Sequence, residues 1–313
     1  MIITVASGKG GTGKTTVAVS LTLSLAAADE GADPVFLDCD VEEPNAALFI
    51  NPVVRERREV GQMIPQVDLE LCTLCGRCAE VCQYNAIAVV GEDVLVFPEL
   101  CHGCGSCTLN CPTGAISEVL DVMGVIERGS TQSLRSAQSS SSTEVGGSSG
   151  RIVFAQGILN VGEMMSPPVI RQLKEWGIPP DSDERPVILD APPGTACPVV
   201  EAMEGADFVL LVTEPTPFGL HDLKQTVEVA RDEMGLPVGV VINREGVGDQ
   251  GVDAYCEAED IPILMRIPID RGIAEAYSEG VPLVEKLPEY AERFRALYAS
   301  IERLVGESKE LVR

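Results

Sequence analysis

Basic side chains are scarce in this sequence. Lysine and arginine together number 23, against 48 aspartates and glutamates, for a formal net charge of −25. A chain of that sign lacks the cationic patch needed to displace counterions from nucleic acid or to sit on anionic lipid, so neither partner is expected. Long hydrophobic runs are missing as well: nothing approaches the roughly 18 apolar residues of a membrane span. The opening MIITVASGKGG has neither the charged head nor the long apolar core of a secretory signal. The expectation is a soluble, cytoplasmic protein with no membrane insertion. Histidine is nearly absent, and neither His102 nor His221 stands in a pattern that supports a catalytic triad.

Cysteine is what the sequence has in plenty. Of eleven, eight fall within residues 72 to 111. In a reducing compartment such a concentration reads as metal ligands or free thiols rather than disulfides. Cys39 and Cys256 stand apart and read as small buried residues.

Along the chain, short β-branched runs alternate with helical stretches. IITVA (2–6), PVFLD (34–38), PVILD (186–190), FVLLV (208–212), VGVVIN (238–243) and PILMRI (262–267) read as buried strands, with helices such as 15–28 and 219–235 between them. That order predicts an α/β fold with a doubly wound, mainly parallel sheet that binds ligands at the strand C-termini. The alternation breaks between about 65 and 155, where the cysteines precede a Ser/Gly-rich tract, 129–150. The tract has no aromatic residue and is expected to be a mobile loop. Its flanks, MGVIER (123–128) and RIVFAQ (151–156), can pair as a hairpin. The C-terminal segment has apolar residues at Tyr290, Phe294, Leu297, Ile301, Leu304 and Val305, and reads as a core helix.

GKGGTGKT (8–15) satisfies the eight-position phosphate-loop pattern between a predicted strand and a predicted helix. Gly8, Gly10, Gly11 and Gly13 let the backbone turn its N–H groups toward phosphate oxygens, with the positive end of the following helix behind them. Lys14 is expected on the β- and γ-phosphates and Thr15 on Mg²⁺, with Thr12 and Thr16 completing the nucleotide-binding set. Lys9 is not required by phosphate cradling. With it, KGGTGKTT resembles the deviant Walker A loop of the MinD/ParA-like P-loop ATPases, the family of nitrogenase iron protein and the cluster-carrier ATPases. The resemblance implies a dimer, homomeric or with a related subunit, in which Lys9 crosses to the partner's nucleotide as an arginine finger does. It also implies that Asp40, in LDCD (37–40), orients or activates the attacking water while Asp38 supports the Mg²⁺ shell. Asp190, in DAPPGT (190–195), would hold Mg²⁺ through water, and Asn243 would read adenine. VTEPTPFGLHDL (212–223) resembles the subgroup of these ATPases that carries an inserted ferredoxin domain. Cys197 lies seven residues after Asp190, as does the bridging-cluster ligand of nitrogenase iron protein, but GILNVGE (157–163) offers no second cysteine; Cys197 is left facing its symmetry mate.

CTLCGRCAEVC (72–82) and CHGCGSCTLNCP (101–112) share the C-x₂-C-x₂-C-x₃-C spacing. Both resemble the runs of two-cluster bacterial ferredoxins, with Gln83 standing where the first run would have proline. By that resemblance, Cys72, Cys75, Cys78 and Cys111 hold one 4Fe–4S cluster, and Cys101, Cys104, Cys107 and Cys82 the other. Zinc is the competing metal, but its structural sites space their ligands as two separated pairs. His102, inside the second run, is placed to tune that cluster. The expected organisation is an ATPase domain over 1–64 and 120–313 with a ferredoxin-like α+β insert over 65–119. Three functions remain open: ATP-gated electron transfer to an unidentified redox protein, ATP-driven delivery of clusters to an acceptor, and, third, a positioning ATPase of the chromosome- or plasmid-partitioning kind, against which the acidic charge counts.

Overall fold

A computed structural model of the chain describes residues 1–28, 33–131, 150–180 and 184–311. The strands among these residues are β1 (Ile2–Ala6), β2 (Val35–Asp38), β3 (Val53–Val67), β4 (Ile87–Val90), β5 (Asp93–Val96), β6 (Ile116–Ser130), β7 (Val153–Leu159), β8 (Val187–Asp190), β9 (Phe208–Thr213), β10 (Val238–Glu245) and β11 (Ile263–Pro268). Nine form one sheet in the order β11-β10-β9-β1-β8-β2-β7-β6-β3, and β4 and β5 make a separate hairpin. From β11 to β7 every pairing is parallel; β6 is antiparallel to both β7 and β3.

Short apolar runs become central strands because both faces of the sheet are covered. Successive side chains point to opposite faces. Phe36, Ile188, Phe208 and Leu210 meet the helices Lys14–Ala26 and Glu289–Leu311 on one side. Val35, Leu37, Leu189, Val209 and Leu211 meet Pro167–Gly177, Cys197–Met203 and Pro217–Val227 on the other. All six strands read from the sequence are present, and the C-terminal helix buries Tyr290, Phe294, Leu297, Ile301 and Val305 with Leu304 partly covered. Among the described residues no helix is long and apolar enough to cross a membrane.

The strands β3 and β6, each 15 residues long, are the unexpected element. Only Gly124–Ser130 of β6 pairs with β7, so beyond that point the two strands continue as a free antiparallel ribbon. The expected domain boundaries at 64/65 and 119/120 fall within this ribbon, which runs without a break from the sheet to its tip. Sequence patterning missed β3 because VVRERREV puts charges on both faces of an edge strand, where no core demands alternation. The expected hairpin of 123–128 with 151–156 is present as the β6–β7 pairing, with Glu127 opposite Gln156. The interior of the Ser/Gly-rich tract expected to be mobile, 132–149, lies outside the described residues.

At the ribbon's tip, residues 68–115 carry the helices Arg77–Val81 and Ser106–Leu109 and the β4–β5 hairpin around a small core of Cys78, Ile87 and Ile116. The ribbon leaves the sheet at a bulge between Val60 and Gly61. A Cβ on Gly61 would lie 1.8 Å from the Asp121 carbonyl oxygen. Gly61→Ala therefore forces the bulge to reopen and is expected to cost about 1–3 kcal/mol, read from the denaturant midpoint. An unchanged midpoint would mean that the bulge relaxes freely.

Candidate functional site

The sheet register builds the first site. Asp190 at the end of β8 lies opposite Val5 of β1 on one side and Asp38 of β2 on the other, so two carboxylates reach the sheet edge beside the loop that leaves β1. That loop ends at Gly13, whose φ of 92° favours glycine and whose Cβ would lie 2.3 Å from Asn243 Nδ2. Lys14, the first residue of the helix, is buried, and its ammonium donates to Asp190 Oδ1 at 2.8 Å and lies 3.7 Å from Asp40 Oδ2. Burial alone would lower the Lys14 pKa, but the charge and hydrogen bond of Asp190, with Asp40 behind them, raise it above its ordinary value.

Burial, with the neighbouring Asp190 charge, pushes the Asp38 carboxyl well above the usual range. Its oxygens accept from the backbone N–H groups of Asp40, Asn45 and Ala46 at 3.0–3.2 Å, tying down the loop after β2. Asp38 is thus a loop anchor behind the row, whereas Asp40 faces the cleft. Burial raises Asp40 from an ordinary 3.8 to about 6, against the pull of Lys14.

A cleft opens in front of this row. Gly10, Gly11, Gly13, Lys14, Thr15, Thr16 and Asp40 line it, as do Asn243, Pro268, Ile273 and Tyr277. Asp190 Oδ2 and Thr12 Oγ1 are buried with no hydrogen-bond partner. Unpaired buried acceptors are uncommon in finished structures, and a carboxylate oxygen at the end of β8, together with the Thr15 hydroxyl that lines the cleft, is the donor chemistry that Mg²⁺ prefers. The residues present therefore fit a Mg²⁺–nucleotide. Gly8 packs on Asp222 at the back of the loop, 2.5 Å from its carbonyl when a Cβ is added.

Two residues that sequence reasoning did not single out complete the site. Glu214, just past β9 and buried, lies 3.5 Å from Lys9 Nζ and also accepts from Arg244. Arg244 in turn donates to the Gly11 carbonyl at 3.1 Å. Glu214 follows a strand adjacent to β1, and the rule that ligands gather at strand C-termini is the signal that marks it. Asn243, expected at adenine, lines the cleft but donates its amide to the Thr12 carbonyl at 2.7 Å and accepts from Arg244 N–H, so here it braces the loop.

The second site lies at the ribbon tip. Cys72, Cys75, Cys78 and Cys111 line one small cavity. Cys82, Cys101, Cys104 and Cys107 line another. In each, backbone N–H groups aim at sulfur: Leu74 and Gly103 donate to Cys72 and Cys101 at 3.4 Å, and Ala86 and Ala115 to Cys82 and Cys111 at 3.3 Å. The left-handed turns repeat with the cysteines, at Leu74 and Gly103, Gly76 and Gly105, and Asn85 and Gly114. Among the described residues no three His, Cys, Asp or Glu side chains converge tightly enough to hold a single metal ion; the thiols stand around the cavity walls. His102 stacks on Tyr84 at 3.8 Å beside the second cavity, and Gln62 of the ribbon donates to the Cys101 carbonyl at 2.5 Å. Cys39 and Cys256 are buried, Cys197 is exposed at the start of its helix, and His221 lies on the exposed face of Pro217–Val227.

Comparison with known proteins agrees with the first site. A family model described as the CobQ/CobB/MinD/ParA nucleotide binding domain matches residues 3–283. An uncharacterized protein of Methanocaldococcus jannaschii is 29% identical over 287 residues, covering 90% of each chain. A Pyrococcus horikoshii protein named iron-sulfur cluster carrier protein is 25% identical over 330 residues, covering 99% of this chain and 87% of its own. The fold is also that of the septum site-determining protein MinD with Mg-ADP from Pyrococcus horikoshii, at a TM-score of 0.53, 20% identity and 97% coverage of both chains.

Asp40 carries a pH signature. The folded state holds its proton more tightly than the unfolded chain does, so the stability this confers is full below about pH 4 and is lost as pH rises through 6. Asp40→Asn is expected to flatten that decline by about 1–3 kcal/mol in denaturant titrations of the nucleotide-free protein at pH 5, 6 and 8. Parallel wild-type and variant profiles would contradict it.

Proposed function

This chain belongs to the CobQ/CobB/MinD/ParA nucleotide-binding family. On that premise we propose that it binds and hydrolyses Mg-ATP as a dimer and uses nucleotide state to gate electron transfer through two 4Fe–4S clusters carried by a ferredoxin-like insert, residues 65–119. Lys14 exchanges Asp190 and Asp40 for the β- and γ-phosphates. Thr15 and Asp190 are the residues that would hold Mg²⁺, with Asp38 supporting them from behind. Asp40, freed from Lys14, orients the attacking water at the cleft mouth. Lys9 leaves Glu214 and reaches the nucleotide of the partner subunit, which is a second copy or a related chain, and Asn243 edges the base.

At the ribbon tip, Cys72, Cys75, Cys78 and Cys111 would hold one cluster and Cys82, Cys101, Cys104 and Cys107 the other. Bound there, the clusters supply one-electron chemistry for exchange with a redox protein. The observation that carries the reading is the sorting of eight thiols into two cavities, each taking three cysteines from one run and the fourth from the other. The N–H groups directed at four of the sulfurs suit thiolates that share charge with a cluster.

A second reading, ATP-driven delivery of clusters to an acceptor, draws on the carrier-named relative and on the exposed Cys197. Chelator challenge separates the two: clusters held by eight dedicated thiols resist it, whereas carrier clusters pass quickly to a chelator or apo-acceptor.

The anaerobically purified protein is expected to contain about eight iron atoms per chain. Its EPR spectrum and reduction potential are expected to differ between Mg-ADP and a non-hydrolysable ATP analogue. Equal spectra in both states, with normal hydrolysis, would overturn the gating. Cys111→Ser should damage the cluster of the first run and Cys82→Ser that of the second; the opposite pairing in the EPR of the two variants would refute the crossed assignment.

A further inference from the structure

The nucleotide loops and the ribbon are connected through one helix, Pro167–Gly177. Its polar side chains reach each of the parts that the proposed mechanism requires to move. At its N-terminus, Ser166 donates to Glu42 Oε1 at 3.2 Å, in the loop that Asp38 anchors. In its middle, Arg171 grips Glu201 with two bonds, at 3.0 and 2.6 Å, and Lys174 donates to the Glu201 and Glu204 carbonyls at 2.5 and 2.6 Å. Those acceptors belong to the Cys197–Met203 helix and its C-cap, which directly continue the Asp190 loop.

β3 and β6 take the remaining ties. Gln172 donates to the Gly61 carbonyl at 2.7 Å, at the bulge where the ribbon leaves the sheet. The Trp176 ring packs against the guanidinium of Arg58 on β3, at 4.5 Å, and that of Arg128 on β6, at 4.6 Å, at the root of the ribbon where both strands still belong to the sheet. Val169, Ile170 and Leu173 pack in one core with Val41, Val60, Met123 and Val199, so the helix cannot shift against one neighbour without loading the others. A helix serving only to cover the sheet needs its apolar face alone.

We propose that the helix Pro167–Gly177 is the lever that carries nucleotide state from the two loops beside Lys14 to the ribbon, and so to the cysteine cavities at its tip, with Arg171 as the input and Gln172 and Trp176 as the output. This rests on the gating reading above and names the device through which it works. The helix touches both switching segments and the ribbon, the unbroken physical contact that such coupling travels through. Arg171, Gln172 and Trp176 touch neither nucleotide nor cysteine, so they are positioning residues.

The chain has one tryptophan, so intrinsic fluorescence of the whole protein reports the contacts of Trp176 with Arg58 and Arg128. Tryptophan emission of the iron-loaded wild type is expected to differ between Mg-ADP and Mg²⁺ with a non-hydrolysable ATP analogue. In Arg171→Ala and Gln172→Ala, nucleotide affinity and iron content are expected to stay within about threefold, while the nucleotide-dependent EPR difference falls at least fivefold. The exchanged pair Arg171→Glu with Glu201→Arg is expected to restore it, which ties the loss to the Arg171–Glu201 contact. Emission that ignores nucleotide while the EPR responds would overturn the lever and leave gating intact. Emission that responds while the wild-type EPR does not would remove the gating and, with it, the lever's reach to the cysteine cavities. Full EPR coupling in both single variants would also overturn the lever.

Discussion

A buried lysine held between carboxylates governs the rest of this molecule. Lys14 sits at the head of its helix with almost no access to water, and its charge is tolerable only because Asp190 and Asp40 answer it. Asp190 stands at the end of β8, Asp40 in the loop after β2, and Lys14 on the phosphate loop, so one cation holds three segments at the same sheet edge. Phosphate oxygens compete for that ammonium. A nucleotide that takes Lys14 must leave Asp190 and Asp40 with other partners, and the orphaned Asp190 Oδ2 indicates what a cation would then satisfy. Exchange of partners around a single buried charge is a two-state event, because half-satisfied arrangements in a low dielectric are costly.

Glu214 repeats this logic at the outer rim. It binds Lys9 and Arg244 together, and Arg244 holds the phosphate-loop backbone at Gly11. The lysine proposed to reach a partner's nucleotide is paired with Glu214 in this structure. Behind the rim, loop anchoring by Asp38, the Glu42 contact and the Arg171–Glu201 pair extend the consequences of the exchange to the helix beside the ribbon. The ribbon's own stiffness depends on its continuity: β3 and β6 remain paired from the sheet edge to the cysteine module, with one bulge at the point of departure.

Much of this was legible in the residues, for separable reasons. The central strands could be read because burial on both faces forces unbroken apolar runs, and the phosphate loop because its glycines and lysine have fixed spacing along one turn. The crossed cysteine sets came from resemblance, and the cavities sort the same way. The ribbon was not legible, since VVRERREV on an edge strand has no buried face to impose a period. Asn243, expected at adenine, lines the cleft with its amide on the Thr12 carbonyl. Glu214 and Arg244 were missed because their meaning lies in a contact with Lys9 and Gly11 more than 200 positions away in the chain.

The sequence by itself determined the local chemistry: which turn can cradle phosphate, which thiols are available in runs of four, and which segments must be buried. Those are properties of neighbouring residues, and backbone geometry carries them wherever the segment lies. Tertiary structure alone decided the pairings between distant segments. It set Asp190 in register with Asp38, made Asp38 an anchor and left Asp40 facing the cleft. It also brought Trp176 against Arg58 and Arg128, and one helix against both nucleotide loops and the ribbon. Side-chain roles of that kind depend on which groups remain unpaired after the core has closed, and only the closed core settles it.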